Sequence, residues 1–492
     1  MKKKGKVTAK KAKKNIGLFA PLFSLPNQYG IGDFSECAYL FIDYLTRIRY
    51  SCWQILPLNP SDYYGSPYTP VSSFALDDIY VSLTDLKKRG LIGEITPYDN
   101  KSKRISYQKV RKYKSAYFNL AFDNFMKFDH SMEELNNFKK DYPRVVEYAT
   151  YRVLRRLNKN KYWNYWKIRE CQPLDVDREV FKQYILFQQW NAIHEYAKSK
   201  NVTIIGDIPF YVGYDSADVY FNREAFLLDE KFNPTVVAGV PPDYYSEDGQ
   251  LWGNPIYNWK YLKKHKFALV MERILFASKI YDITRLDHFR AFDTYYEIPS
   301  MAKDAKIGEW KEAPGYDFFN CLKKNHPDIK LIAEDLGDMR EEVFHLRDHF
   351  NLPGMQVIQF NLIDEEIRHH YYPYVHKREN SIVYISTHDS QTGMQWVESL
   401  DDNSKNAVIK YLTDTYGHHH VMTNLFKYAV DQPAKTVIIS ITDILRLHKT
   451  GRINTPGFKL KYNWTFRLKD YVGLMKNEAK LVKLATKSKR NA

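Results

Sequence analysis

Eight short and almost wholly apolar runs punctuate the chain, at 16–20, 52–57, 202–207, 283–286, 329–333, 355–360, 382–386 and 436–441. Runs of this length without polar alternation read as strands buried on both faces. Most are separated by segments of helical period. From 36 to 48, Leu40, Phe41, Tyr44, Leu45 and Ile48 share one face, and from 180 to 198 so do Ile185, Leu186, Trp190, Ile193 and Tyr196. Further helical stretches are predicted at 267–279, 340–349 and 404–416. Strands alternating with helices imply a parallel sheet, and eight of them imply a closed (β/α)8 barrel. The barrel is expected over 16–476.

Two stretches break the alternation. Between about 80 and 185 charged helical segments dominate and strand-like runs are scarce, which predicts a mostly helical inserted subdomain. The segment 59–74 is dense in Tyr, Ser, Pro and Gly. A loop longer than about 12–15 residues is usually functional or disordered, and this one has too many aromatics for disorder.

Charge changes the picture less than its total suggests. The net charge is +15, but eight positive charges lie in residues 1–15 and a net four in 477–492, leaving three for 16–476. Both ends are therefore expected as flexible basic tails around a near-neutral body. That argues against a nucleic-acid partner. No run of about 18 apolar residues exists, so no membrane span is expected. The four cysteines, Cys37, Cys52, Cys171 and Cys321, form no CxxC pair, which suits reduced thiols in a cytoplasmic protein.

The chemistry lies where the apolar runs stop. The third run ends in Asp207, the fourth in Arg285 and Asp287, the fifth in Glu334 and Asp335, and the seventh in Thr387, His388 and Asp389. In a (β/α)8 barrel the C-terminal strand ends open onto one face, where active sites sit. Asp287 lies among Arg285, His288 and Arg290, cations that would keep it ionised and oriented. The same residues would also suit a strand running into a salt-bridged loop. Several carboxylates around one cleft fit glycoside chemistry, in which an ionised carboxylate attacks and a protonated one donates. Crowding by Asp335 or Asp389 would raise the pKa of Glu334 and leave it protonated. No HExxH spacing supports metal hydrolysis, and His418–His420 reads as an exposed turn after Gly417.

The blocks RLDHFRAF at 285–292, IAEDLG at 332–337 and STHDS at 386–390 resemble the catalytic blocks of the 4-α-glucanotransferases, the amylomaltases of the α-amylase clan. GIGD at 30–33, WQILP at 53–57, SPY at 66–68, GDIP at 206–209, DSAD at 215–218, NTPG at 454–457 and the segment 237–257 are similar to the same family. The resemblance spans about 16–468. It implies Asp287 as nucleophile, Glu334 as general acid/base and Asp389 as transition-state stabiliser. It places Arg285, His388 and Asp207 in the same subsite and Tyr68 on a sugar face. The stretch 237–257, expected as a long irregular loop, would arch over the cleft, with Tyr244 and Trp252 as candidate contacts. Ala291, Ser390-Gln391 and Phe458 depart from the family pattern and touch none of the three carboxylates.

The expected activity is retaining transfer of α-1,4-glucan segments to the 4-hydroxyl of another glucan or of glucose. The expected substrates are maltooligosaccharides and starch or glycogen chains, with neither cofactor nor metal. An α-glucan hydrolase of the same clan and a catalytically silent glucan-binding scaffold are the alternatives.

Overall fold

Apolar runs with no polar face can be satisfied only in a sheet covered on both sides. The computed structural model describes residues 14–61, 65–242, 247–370, 377–458 and 460–490. Its strands are β1 (Asn15–Phe19), β2 (Cys52–Gln54), β3 (Thr203–Ile208), β4 (Val236–Val240), β5 (Gln250–Pro255), β6 (Ile283–Leu286), β7 (Thr294–Pro299), β8 (Glu309–Glu312), β9 (Leu331–Ala333), β10 (Gly354–Val357), β11 (Ser381–Tyr384) and β12 (Thr436–Ser440). Eight form one sheet in the order β10-β11-β12-β1-β2-β3-β6-β9, with every pairing parallel. These are the eight apolar runs of the sequence, and the fold is a (β/α)8 barrel.

The two ends of this sheet, β9 and β10, meet at a seam. The Ala333 N–H donates to the Pro353 carbonyl at 2.9 Å, and the Asp335 carboxylate accepts from the Met355 N–H at 2.7 Å. The approach is close enough that a Cβ on Gly354 would stand 2.4 Å from Asp335 Oδ2, so glycine is required there. Arg347, itself buried, pairs with the same carboxylate.

Between β2 and β3 the described chain is helical. The main helices are Tyr107–Phe125, Ser131–Asp141, Pro143–Leu157 and Pro173–Ser199. Two of them start on proline, whose missing N–H costs nothing in a first turn. The last extends seven residues further toward its N-terminus than the apolar period predicts. Its Gln183 pairs with both the N–H and the C=O of Leu76, holding an irregular segment much as a neighbouring strand would.

The helical region is tied to the barrel through a buried ion pair. Lys114 projects from the helix Tyr107–Phe125 and is 1% exposed. Its ammonium donates to Asp33 Oδ2 at 2.6 Å and to the carbonyls of Ile79 and Val81 at 2.8 and 2.9 Å. All three N–H groups are thereby used, which is what makes such burial tolerable.

Two expectations need correction. The segment 237–257 is not an irregular loop: β4 and β5 pair as a hairpin in a second, antiparallel sheet of order β5-β4-β7-β8. The C-terminal segment is not a flexible tail. It forms the helix Glu478–Lys487, which buries Leu481 and Ala485 while its lysines stay on the solvent side. Beyond it, buried Arg490 donates to the carbonyls of Val430, Gln432 and Ala434, which seats the residue that follows this helical segment.

Lys114→Met keeps the aliphatic stem but leaves the Asp33 carboxylate buried and unpaired. It is expected to cost roughly 3–5 kcal/mol in chemical denaturation. A loss under about 1 kcal/mol would show that the pair is not what couples helical region and barrel.

Candidate active site

Adjacent parallel strands put register partners side by side on one face. Asp207 on β3 and Arg285 on β6 are such partners. Arg285 Nη1 donates to both Asp207 oxygens, at 2.9 and 2.7 Å. The same nitrogen lies 3.0 Å from Asp287 Oδ1, and Nη2 lies 4.0 Å from Glu334 Oε2. One guanidinium, 4% exposed, thus faces three carboxylates. Its remaining donor, Nε, points at Met355 Sδ on β10 at 3.4 Å.

The chain geometry around Asp287 and Glu334 is fixed by backbone bonds. The Asp287 N–H donates to the Ile208 carbonyl and the Glu334 N–H to the Leu286 carbonyl, each at 3.1 Å. Glu334 Oε2 accepts from the His288 N–H at 2.8 Å and Oε1 from the Leu336 N–H at 3.2 Å. His288 aims its N–H this way by taking a left-handed conformation, φ 48°. That region is unfavourable for residues with a side chain, and such strain concentrates at functional sites.

Asp389 sits across the cleft. Asn454 Nδ2 donates to its Oδ1 at 2.7 Å, and His388 Nε2 lies 3.2 Å from its Oδ2. The His388 ring stacks on Tyr68 with centroids 5.1 Å apart and planes 11° from parallel. The Tyr68 hydroxyl donates to Asp207 Oδ2 at 2.7 Å, so Tyr68 links the Asp389 side of the cleft to the Arg285 side. Trp464 packs against both Tyr68 and His388. Trp252, on β5, stands edge-on to the His288 ring at 4.9 Å. The antiparallel hairpin therefore reaches over the cleft. Tyr244 lies outside the described residues.

Electrostatics separates the carboxyls. Burial raises Glu334 to about 8; Asp287 adds to the rise, and Arg285 opposes it. Asp335 comes after these causes, so the expected crowding by Asp335 or Asp389 is not the main one. Asp335 points away from the cleft, to Arg347 and the barrel seam. Burial also raises Asp287, to about 6, with Arg285 opposing and Asp207 and Asp389 reinforcing. At Asp389 burial is outweighed by His388, Asn454 and Arg285, and the carboxyl falls to about 2. Of the three cations expected around Asp287 only Arg285 touches it. Arg290 turns away to Asp338 and over the Trp310 ring. His288 is held neutral, pushed down to about 3 by burial and by Arg290.

The site also contains residues that the sequence did not single out. Asn454 fixes Asp389, although its motif was quoted only for its resemblance. Asp443, fully buried, accepts from the Ser386 hydroxyl and from the Gly393 N–H, 2.7 Å away. It thereby ties down both ends of the loop carrying His388 and Asp389. Asn454 stands in the NTPG block, which is its signal, whereas Asp443 has none: it is a lone polar residue whose partners lie far along the chain.

Comparison with known proteins agrees with this geometry. A family model described as 4-alpha-glucanotransferase matches residues 20–473. The 4-alpha-glucanotransferase of Aquifex aeolicus is 36% identical over 92% of this chain and 95% of its own. That of Thermus thermophilus is 34% identical over 92% and 94%. The amylomaltase from Streptococcus agalactiae in complex with acarbose superposes with a TM-score of 0.92 at 30% identity, covering 97% of this chain and all of that one. The chain belongs to the 4-alpha-glucanotransferase family, enzymes that transfer segments of α-1,4-glucans.

Proposed function

We propose that transfer proceeds by a double displacement with net retention, carried by Asp287 and Glu334. The supporting observation is the split between two carboxyls facing one guanidinium, near 6 for Asp287 and near 8 for Glu334. Close to neutrality the first is mostly ionised and the second mostly protonated. Those are the states that a nucleophile and a proton donor require.

In the first step an Asp287 oxygen bonds to the anomeric carbon of the donor glucan. The glycosidic C–O bond breaks, and the Glu334 proton passes to the departing 4-oxygen. In the second step the 4-hydroxyl of an acceptor glucan attacks the same carbon. Its proton goes to Glu334, and the bond to Asp287 breaks. Asp389, held ionised, accepts from sugar hydroxyls and stabilises positive charge developing on the ring. Arg285 orients both reacting carboxylates, with Asp207 and Tyr68 holding Arg285 in place. His388 positions Asp389 and contributes to the same sugar subsite. Trp252, against His288, helps to cover the cleft. That cover disfavours water, so the covalent intermediate survives until a sugar arrives.

The domain reading is a catalytic barrel over 16–476, carrying a helical insertion at about 80–185 and a cover at 237–257. The four free cysteines support a reducing, cytoplasmic setting.

The pH profile of kcat/KM for maltotriose should be bell-shaped. Activity should rise as Asp287 loses its proton near 6 and fall as Glu334 loses its proton near 8. Glu334→Gln should abolish the alkaline limb; a limb that persists would assign the proton donor elsewhere.

With natural glucans Glu334→Gln is expected to lower kcat by about 10²–10⁴-fold, the usual worth of a positioned proton donor. An α-glucosyl fluoride donor needs no such proton, so with it the first step should be largely retained. Asp287→Asn should abolish transfer from both donors. Near-normal product formation by Asp287→Asn, read as glucose plus chains longer than maltotriose, would remove Asp287 as nucleophile.

A further inference from the structure

The two oxygens of Glu334 are held from two different turns. Oε2 accepts from the His288 N–H, in the turn after β6, and Oε1 from the Leu336 N–H, in the turn after β9. A carboxyl held in this way keeps its aim only while the two turns keep their spacing. One backbone bond joins them directly, from the Phe289 N–H to the Glu334 carbonyl at 3.1 Å. The other ties come from side chains.

Arg290 stands two residues past His288, and Asp338 two residues past Leu336. Arg290 Nη1 donates to the Asp338 carbonyl and to Asp338 Oδ2, the latter at 2.8 Å. One side chain thus grips both the backbone and the carboxylate of the facing turn. Its own place is set by the second sheet: its guanidinium carbon lies 3.6 Å from the centre of the Trp310 ring on β8, and its Nε 3.5 Å from Thr294 Oγ1 on β7. Arg290 is 7% exposed, whereas the Asp338 side chain is 74% exposed. A solvated carboxylate contributes little stability through an ion pair, and a buried guanidinium is costly to keep. Stability alone is therefore a poor reason for this pair.

Farther out, a second pair joins the same turns with the charges exchanged. Arg340 donates to both oxygens of Asp293, from Nε at 2.6 Å and from Nη2 at 2.9 Å, and Nη2 also reaches Glu312 on β8 at 3.0 Å. This outer pair keeps the turns joined when Arg290 is altered.

We propose that Arg290 is a positioning residue for the proton donor Glu334, clamping the turn that carries His288 to the turn that carries Leu336 so that both N–H groups stay aimed at its carboxyl. This rests on the reading of Glu334 as general acid/base. Asp287 does not depend on the clamp, because its N–H is held by the Ile208 carbonyl and its carboxylate by Arg285. Bonds donated to a carboxylate favour its ionised form, so loosening them raises the pH at which Glu334 loses its proton. The charged groups facing Glu334 are Arg285, Asp287 and Asp335, and those facing Arg290 are Asp338 and the neutral His288 ring.

The test uses the full chain with Arg290→Met, which keeps an aliphatic stem over Trp310, and separately with Asp338→Ala, which removes only an exposed carboxylate. Natural glucans need the proton of Glu334, and α-glucosyl fluoride does not. In Arg290→Met, kcat on maltotriose should fall about ten- to a hundred-fold, the range for a misplaced catalytic group. Initial fluoride release from α-glucosyl fluoride should stay within about threefold of the parent. The alkaline limb of kcat/KM for maltotriose should move up by about half a pH unit or more. Asp338→Ala keeps the bond to the Asp338 carbonyl and should show the same pattern at about two- to five-fold. Equal losses with both donors overturn the proposal, as does an alkaline limb that stays in place. If Arg290→Met does not fold, the donor dependence of Asp338→Ala decides alone. A persistent alkaline limb in Glu334→Gln would defeat the reading of Glu334 itself, whereas equal losses in the clamp variants beside a Glu334→Gln that has lost its limb would defeat only the positioning role.

Discussion

The site depends on a shortage of positive charge around Arg285. Its guanidinium is buried and faces Asp207, Asp287 and Glu334 at once. One cation in a low-dielectric site cannot neutralise three anions. Asp207 has the strongest claim, with two short bonds from the same nitrogen. The remaining attraction is shared unequally, at 3.0 Å for Asp287 and 4.0 Å for Glu334. The more distant carboxyl therefore keeps its proton to higher pH. A second cation in place of Met355 beside the guanidinium would favour ionisation of both carboxyls and so work against the proton donor proposed at Glu334. Burial raises both carboxyls, and the unequal share of one cation separates them, so neither residue type supplies the split alone.

That balance requires Asp207 and Arg285 to lie at one height on neighbouring strands, which follows from the pairing of β3 with β6. Between these strands the chain builds β4, β5 and the helix Ala268–Ile280 before returning to the barrel. Arg273, on that helix, is buried and donates to the Phe210 carbonyl at 2.7 Å and to the Ser73 hydroxyl at 2.8 Å. It joins the loop after β3 to the loop after β2, and both loops wall the cleft. The side facing Asp389 has its own anchor in Asp443. Here too a buried polar side chain uses its bonding capacity on the ends of a loop, the one carrying His388 and Asp389, and so stiffens it.

What was legible in the sequence follows from what each element buries. Strands hidden on both faces must be continuous apolar runs, so all eight barrel strands could be read. The antiparallel sheet could not, because β5 and β8 leave residues exposed and carry Gln250, Asn254, Glu309 and Lys311 in mixed order. The C-terminal helix was hidden by its lysines: composition suggested a tail, while Leu481 and Ala485, four apart, mark a narrow buried stripe. Strand-end carboxylates were legible because a polar residue ending an apolar run on the open face is conspicuous. Their partners were less so. Asp335 follows Glu334 in sequence but serves the barrel seam, since neighbouring residues in an extended chain point to opposite sides. Sequence adjacency was therefore a poor guide to which acid raises which.

Cover and chemistry are linked through a few side chains. A Cβ on Gly457 would stand 3.6 Å from Gln250 Cγ, an ordinary contact distance, so the segment after Asn454 meets the hairpin strand β5. Gln250 Oε1 accepts from Trp252 Nε1 at 3.2 Å, and Trp252 stands against His288, whose N–H holds Glu334. On the other side Asn454 holds Asp389. Strand β5 thus bears on the supports of Glu334 and Asp389, one through each arm of the contact. A hydrolase has no need of such an arrangement, because water finds an open site unaided. On the double displacement proposed above, a transferase must keep its covalent intermediate dry while leaving room for a second sugar, and a cover that bears on the groups holding Glu334 and Asp389 would meet both demands.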